Sequence, residues 1–267
     1  MLGKLLKHEF RATGRVMLPL YLILLVVSVF GNVATRIMEH SDSRLLNLVG
    51  GLTIFAFFIG LMAVSLMSLY LMISRFHKNL LTDEGYLMFT LPVSVHSLIF
   101  SKIIVSTVWF IGTAIMDCLA FLALFFRVGY LRNFFQGLDD LFSQLTAYYA
   151  INGTAMVLEF LVLGILACAA LCLVVYASSA LGHSFANHKI LLSFVFFFGF
   201  SWASQFVTLG GILALDGVDF PFYLMDRLSV MGQMHAMFAM LIAAELIYCA
   251  IFYFITAITL QKRINLE

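Results

Sequence analysis

Six long apolar stretches constrain the fold of this chain more than any other feature of its sequence. Each is long enough to cross about 30 Å of hydrocarbon, which takes roughly 20 helical residues at about 1.5 Å each. A membrane β-barrel would instead show weaker, alternating segments of about ten residues. The sequence therefore predicts an all-α integral membrane protein with six transmembrane helices. The predicted spans are Val16–Met38, Gly51–Ser74, Ile103–Phe126, Tyr149–Leu181, Ile190–Leu215 and Gln233–Leu260.

The composition agrees with that fold and excludes several classes of function. Hydrophobic residues make up 63% of the 267 residues and charged residues only 11%, whereas a soluble domain carries about 25% charged residues. The net charge of +1 gives no basic patch of the kind that a nucleic-acid-binding protein needs. The four cysteines lie in apolar runs, at spacings that fit neither a zinc site nor a disulfide framework. We therefore predict no metal site and no nucleic-acid partner.

The charges between the spans predict the orientation of the chain. Ten basic residues fall on one side and five on the other, where seven acids join them. Because cytoplasmic loops are enriched in Lys and Arg, both termini and residues 75–102 and 182–189 are expected inside. Residues 39–50, 127–148 and 216–232 are then outside. The inner basic residues are Lys4, Lys7, Arg11, Arg15, Arg75, Lys78, Lys102, Lys189, Lys262 and Arg263.

Two segments outside the spans have amphipathic helical patterns. Residues 2–15 place leucines and a phenylalanine on one face and basic side chains on the other. This pattern suits an anionic inner leaflet, although it also fits a simple flank of the first span. Residues 131–145 repeat Leu and Phe at helical spacing opposite polar side chains. This second segment is predicted to be a helix along the outer surface, either a packed lid or an element that contacts substrate.

The longest inward loop, residues 75–102, contains signals for a short helix between two long ones. Thr82 can cap a helix whose first turn holds Asp83 and Glu84, where the helix dipole favours acids. Pro92 ends that helix, and Ser94 can cap the next one.

The helices on both sides of this loop are expected to extend beyond the bilayer. Their apolar patterns run over residues 51–80 and 94–126, which gives helices of about 45–50 Å. Two protruding helices joined by a short crosswise helix form a lever that a cytoplasmic partner can push.

Three segments carry a resemblance to a known family: MLGKLLKHEFRATGR, NLLTDEGYLMFTLPVSVHSLIFSK and SSALGHSFANHKILLS. In them the chain resembles the permease subunits of type 2 ABC transporters, especially small bacterial exporters and self-immunity permeases. The resemblance implies one permease domain over residues 1–267, in a dimer of six-span subunits in the bacterial cytoplasmic membrane. It also implies a connecting helix over residues 1–15 and a coupling helix at about Thr82–Leu91 that docks on a separate ATPase. The coupling residues it implies are Thr82, Asp83, Glu84, Gly85 and Tyr86.

The motifs that the chain lacks agree with that resemblance. No G-x-x-x-x-G-K-[ST] sequence occurs, so the chain has no loop of this type to hold ATP phosphates. Neither H-E-x-x-H nor G-x-S-x-G occurs. We therefore expect no catalytic residues and no cofactor on this chain, with ATP and Mg²⁺ bound by the partner ATPase.

Three acids fall well inside the predicted spans: Asp117, Glu159 and Glu245. An ionised acid at the centre of a bilayer costs several kcal/mol, so such residues are candidates for function. Each is expected to be protonated or hydrogen-bonded to Ser, Thr or Tyr within the bundle. They either hold helices together, or relay protons or bind a cationic substrate.

Polar stripes mark two of the spans. In span five the stripe consists of Ser201, Ser204, Gln205 and Thr208, and in span two of Ser65 and Ser68. Such stripes face other helices or a cavity rather than lipid. In the family that the chain resembles, these two spans line the central path. The candidate path residues are therefore Ser65, Ser68, Ser201, Gln205 and Thr208, with helix packing as the alternative.

Two further patterns give structural expectations. Gly164, Cys168 and Cys172 recur at four-residue spacing and predict a close-packing face on span four. His183 and His188 flank Lys189 in an inward turn and are expected to be solvated.

Three functions remain open from the sequence. The first is the permease of an ATP-driven exporter for a hydrophobic or amphipathic substrate, such as a peptide, an antimicrobial or a lipid. The second is an ion-coupled secondary transporter that uses the intramembrane acids. The third is a membrane scaffold or sensor that transports nothing.

Overall fold

The computed structural model describes residues 2–40, 43–82, 85, 88, 90, 93–126, 128–149, 153–185, 187–216 and 228–262. All regular secondary structure among these residues is helical. Because a bilayer interior offers no water to hydrogen-bond the backbone, a helix is the way for an apolar run to satisfy its own N–H and C=O groups. The helices are α1 (Leu2–Glu39), α2 (Arg44–Leu80), α3 (Val95–Leu124), α4 (Val128–Tyr149), α5 (Gly153–Gly182), α6 (Lys189–Asp216) and α7 (Val230–Lys262).

Six of these helices are long and apolar enough to cross a membrane, namely all but α4. The predicted all-α fold with six spans is therefore confirmed, and the chain is a multi-pass membrane protein by length and composition. The fourth span begins later than predicted, because Tyr149 is the last residue of α4 and α5 begins at Gly153.

The two amphipathic segments are helical, as predicted. Residues 2–15 form the first part of α1, which continues without a break through Pro19 into the first span. The segment predicted to lie along the outer surface forms α4, and its apolar residues Phe134, Phe135 and Leu141 are more than half exposed. These three side chains therefore have no covering layer among the described residues.

The predicted helix start at Ser94 is confirmed by its hydrogen bond. The Ser97 amide donates to Ser94 Oγ at 3.3 Å. Ser94 is the residue directly before α3, which begins at Val95. Such a cap satisfies one of the backbone amides that the first turn of a helix leaves unpaired.

The chain divides into two compact units, and α2 and α3 contribute to both. The first unit comprises residues 1–74 and 104–139. Its core includes Met17, Tyr21, Leu24, Phe57 and Leu124. Polar groups also join α1 to α3: Trp109 Nε1 donates to Thr13 Oγ1 at 2.7 Å, and Asn32 Nδ2 donates to Leu124 O at 2.8 Å.

The second unit comprises residues 75–103 and 140–267. Within it α5 packs against both α6 and α7. At its core the rings of Phe76 and Tyr176 stack with centroids 4.0 Å apart, and both side chains are fully buried. The end of α2 and the start of α3 therefore belong to the same packed unit as α5.

Candidate functional site

The polar groups inside the spans are the main candidates for function, and each predicted acid has its own environment. Asp117 on α3 accepts a hydrogen bond from Ser65 Oγ on α2, with 3.0 Å between Oγ and Oδ2. Its other oxygen, Oδ1, is buried without a partner among the described residues. The expectation of a hydroxyl partner is thus confirmed for Asp117, and Ser65 is the residue that provides it.

Glu159 on α5 is paired with a histidine that the sequence reading did not single out. His235 Nδ1 on α7 donates to both carboxyl oxygens, at 2.7 Å to Oε1 and 2.9 Å to Oε2. The two side chains are 24% and 30% exposed, so the pair lies partly within the unit. The expected Ser, Thr or Tyr partner was therefore wrong for Glu159.

The two residues of this pair lie at similar depths in their spans. Glu159 lies six residues after the start of α5 at Gly153, and His235 lies five residues after the start of α7 at Val230. The predicted topology runs both spans in the same direction, so the two residues fall at nearly the same depth. The sequence does not indicate which helix faces which, and for that reason depth alone did not select the partner.

Glu245 on α7 has no such partner. Its Oε2 is buried and accepts no hydrogen bond from the described residues. It lies ten residues beyond His235 on the same helix, which corresponds to about 15 Å along the axis. Glu159 and Glu245 therefore do not form one site, and Asp117 belongs to the other unit.

The polar stripe predicted in span five lies on α6, where the single chain leaves it largely uncovered. Ser201 and Ser204 are half-buried, while Gln205 and Thr208 are exposed. The three hydroxyls donate to carbonyls of their own helix, at Phe197, Ser201 and Ser204. Gln205 has no hydrogen-bond partner among the described residues, so its side-chain amide is unpaired on the exposed side of α6.

On α2, the two serines of the shorter stripe differ in their surroundings. Ser65 is exposed and bound to Asp117, as described above. Ser68 is buried, and its hydroxyl has no partner among the described residues.

The predicted coupling segment is described only in part. Asp83, Glu84 and Tyr86 lie outside the described residues, whereas Gly85, Met88 and Thr90 are helical. Thr82 Oγ1 donates back to Lys78 O at 2.6 Å, and the Gly85 amide donates to Thr82 O at 2.7 Å.

Gly85 packs closely against the end of α2. A Cβ atom at this position would lie 2.8 Å from Leu80 O and 2.9 Å from the carbonyl carbon. Because backbone atoms cannot move aside as a flexible side chain can, this approach requires a glycine.

The turn between α5 and α6 corrects the expectation of solvated histidines. His183 is buried, with 5% of its surface exposed. Its Nδ1 donates to Ser179 O at 2.8 Å, and its Nε2 is 3.0 Å from His77 Nε2 on α2. Only His188 is exposed, in a left-handed backbone conformation with φ of 57°. An open groove of about 700 Å³ adjoins these histidines.

Gly164 also differs from its predicted role. A Cβ atom there would meet nothing within 4 Å, so Gly164 does not contact a neighbouring helix of the described chain. The close approach occurs instead at the end of α5, where Gly182 lies against the backbone of Ser193 on α6.

The part of the chain that the structure describes contains no group of three or more His, Cys, Asp or Glu residues arranged to hold a metal ion. Comparison with protein-family models, curated proteins and solved structures gives no match.

Proposed function

We propose that this chain is the membrane-spanning permease subunit of an ATP-driven exporter, as its resemblance to type 2 ABC permeases implies. The observation that carries the proposal is the length of the two helices on either side of residues 82–91. α2 has 37 residues and α3 has 30, which correspond to about 55 Å and 45 Å. Both exceed the roughly 30 Å of the hydrocarbon core, so both can protrude into the cytoplasm.

The packing of the protruding ends supports a mechanical role for the segment between them. Phe76 on α2 is stacked on Tyr176 of α5, and Leu98 and Ile99 on α3 are fully buried. A force applied to residues 82–91 would therefore act on packed helices rather than on a free loop. This arrangement suits alternating access driven by closure of an ATPase dimer.

The proposed assembly contains a second permease copy and separate ATPase subunits that bind ATP and Mg²⁺. The exposed face of α6 supports the need for a second copy or a substrate, because the unmatched amide of Gln205 is unfavourable against lipid. Exposed aromatic residues beside it, Phe198, Trp202 and Phe206, suit a hydrophobic or amphipathic substrate such as a peptide, an antimicrobial or a lipid. The proposed location is the bacterial cytoplasmic membrane, with both termini in the cytoplasm.

A substitution at Glu84 tests the coupling role. An acid in the predicted first turn stabilises a helix by only about 0.3–1 kcal/mol, so Glu84→Ala should not affect membrane insertion. Truncating a charged contact in a docking interface costs about 2–5 kcal/mol when its partner charge is left buried. We therefore expect normal insertion, weaker recovery of the ATPase on affinity purification from native membranes, and loss of transport-linked ATP hydrolysis.

Glu39→Ala is the matched control, because Glu39 ends α1 on the side predicted to be outside. It should retain ATPase binding and turnover. If Glu84→Ala also retains both, residues 82–91 are not the coupling element and the proposal loses its main support.

Ion-coupled secondary transport is the second candidate, and the Glu159–His235 pair favours it. A carboxyl group and an imidazole within hydrogen-bonding distance inside two spans can exchange a proton. Purified chain in proteoliposomes, without any ATPase, separates the two functions. Transport driven by an ion gradient alone, and lost in Glu159→Gln, would establish the second candidate. Transport that requires the ATPase supports the first.

A further inference from the structure

Two histidines meet at the end of α2, although one of them, His183, was expected to be solvated. His77 and His183 lie 106 positions apart in the chain, yet their Nε2 atoms are 3.0 Å apart. Their rings meet edge to face, with centroids 4.8 Å apart and an interplanar angle of 75°. Both residues belong to the same compact unit.

The contacts of His183 determine which of its nitrogens carries the hydrogen. Its Nδ1 lies 2.8 Å from Ser179 O, and a carbonyl oxygen can only accept a hydrogen bond. Nδ1 therefore carries the hydrogen, and in the neutral ring Nε2 is a bare acceptor. His77 must then donate from its own Nε2, so that one hydrogen lies between the two facing nitrogens.

We propose that His77 and His183 form a proton-sensitive latch, which holds the end of α2 against the end of α5 and opens when both rings are protonated. One added proton is compatible with the contact, because His77 can carry its hydrogen on Nδ1 and accept from the protonated His183. A second added proton places an N–H group on each facing nitrogen and two positive charges in contact. The hydrogen bond then has no acceptor, and the rings must separate.

The lysines beside the pair both disfavour an added proton on the histidines. Lys78 follows His77 on α2, Lys189 begins α6, and His188 lines the groove beside the pair. None of the described residues that line this groove is acidic. The positive charges of Lys78 and Lys189 oppose the second proton and strengthen the repulsion once it binds.

The direction of the pH dependence follows from His183. Burial lowers its pKa, and the positive charges of His77 and Lys189 lower it further, while the hydrogen bond to Ser179 acts in the opposite direction. The folded protein therefore binds fewer protons here than the unfolded chain, whose histidines titrate near pH 6.5. The contribution of His183 to the free energy of unfolding is therefore fully present above about pH 6.5. It is lost as the pH falls below that value.

The latch lies where it would control the start of residues 82–91. α2 ends at Leu80, and the Leu81 amide still donates to His77 O at 2.9 Å. Leu81 is only 5% exposed, so opening the latch should uncover it. This inference does not depend on the proposed transport function, because the opening can be measured on the chain alone.

The test measures the exposure of Leu81 in the purified full-length chain in lipid nanodiscs. Leu81→Cys and, as an exposed reference, Asn187→Cys are made separately after replacing the four native cysteines. Both are labelled with a methanethiosulfonate reagent at pH 8, 6.5 and 5, and the ratio of their rates cancels the intrinsic pH dependence of the thiol. We expect this ratio to rise by roughly tenfold or more from pH 8 to pH 5, because opening requires the second proton.

Three variants provide the controls. His77→Gln and His183→Gln replace a titrating ring by a neutral amide, so each should remove the rise in the ratio. His188→Asn changes an exposed histidine of the same groove to a residue that tolerates a left-handed backbone, and it should keep the rise. A constant ratio in the wild-type histidine background would overturn the proposal, as would a rise that persists in both glutamine variants.

A second measurement observes the position of the histidine hydrogen directly. Nitrogen-15 spectra of histidine-labelled chain distinguish the two neutral tautomers. At pH 8 we expect the resonance of a histidine that carries its hydrogen on Nδ1. This resonance should be absent in His183→Gln. The absence of such a resonance at pH 8 would contradict the proposed pairing.

Discussion

At the scale of single residues, the polar groups within the spans fall into paired and unpaired sets. Asp117 and Glu159 each have a hydrogen-bond partner on another helix, whereas Glu245 Oε2 and the Ser68 hydroxyl have none among the described residues. A paired group contributes to helix association. A buried group without a partner is costly in a single chain, so Glu245 is the acid whose surroundings an additional subunit or substrate would change most.

The Glu159–His235 pair gives a prediction for stability. Interhelical hydrogen bonds in membrane proteins contribute about 0.6 kcal/mol on average and up to about 1.7 kcal/mol. Because both carboxyl oxygens are engaged, we expect His235→Ala to lower the free energy of unfolding by about 1–1.7 kcal/mol, in the upper part of that range. Glu159→Gln should cost less, because its amide oxygen can still accept from Nδ1.

A double-mutant cycle on thermal or denaturant unfolding in one detergent measures this coupling. Adding Glu159→Gln to His235→Ala should recover part of the loss, since no carboxyl group is then left without its partner. Strictly additive effects would show that the two side chains do not interact in the folded protein.

At the scale of helices, the contact between α5 and α6 depends on one glycine. A Cβ atom on Gly182 would clash with the side chain of Ser193 and lie 2.5 Å from its backbone nitrogen and 2.7 Å from its Cα. Backbone atoms of a neighbouring helix cannot rotate away. The two helices can therefore approach this closely only where α5 has no side chain.

Two glycine-to-alanine substitutions on α5 make this point testable. We expect Gly182→Ala to destabilise the protein by about 1–3 kcal/mol, the usual cost of overpacking. Gly164→Ala, which meets nothing within 4 Å, should be neutral or stabilising by up to about 1 kcal/mol, because alanine favours the helix. Unfolding midpoints measured side by side provide the comparison. Equal midpoints for the two variants would show that α5 and α6 are farther apart than described.

At the scale of the whole molecule, large apolar side chains remain exposed on all six candidate spans. The most apolar windows of α6 and α7 are only 0% and 6% buried in the single chain. In water such surfaces would cause aggregation, whereas lipid covers them at no cost. The chain is therefore a membrane protein in which α6 and α7 have the most surface available for lipid or for another subunit.

The orientation of the chain is a prediction at this scale. Gln136 on α4 and Asn187 in the turn after α5 are both exposed, and one span separates them. In a cysteine-free background, Gln136→Cys should react with an impermeant maleimide in intact cells. Asn187→Cys should react only after permeabilisation. Labelling of both in intact cells would contradict a single crossing between them, and the reverse pattern would invert the assigned topology.

The sequence by itself determined the helical elements of this protein. The six spans, a helix over residues 131–145 and the cap at Ser94 were predicted from hydropathy, periodicity and capping. These features depend on neighbours within a few turns, because each helix satisfies its own backbone hydrogen bonds. The boundaries moved by several residues, for example from Gly51 to Arg44 at the start of the second span and from Tyr149 to Gly153 at the start of the fourth.

The tertiary structure alone decided which polar side chains meet. Ser65 with Asp117, Glu159 with His235, and His77 with His183 are separated by 52, 76 and 106 positions in the chain. In an apolar chain almost any rotation of a helix buries similar side chains, so hydropathy does not select the face that a helix turns toward its neighbour. That choice depends on packing between helices, which is why the sequence identified the acids and the structure supplied their partners.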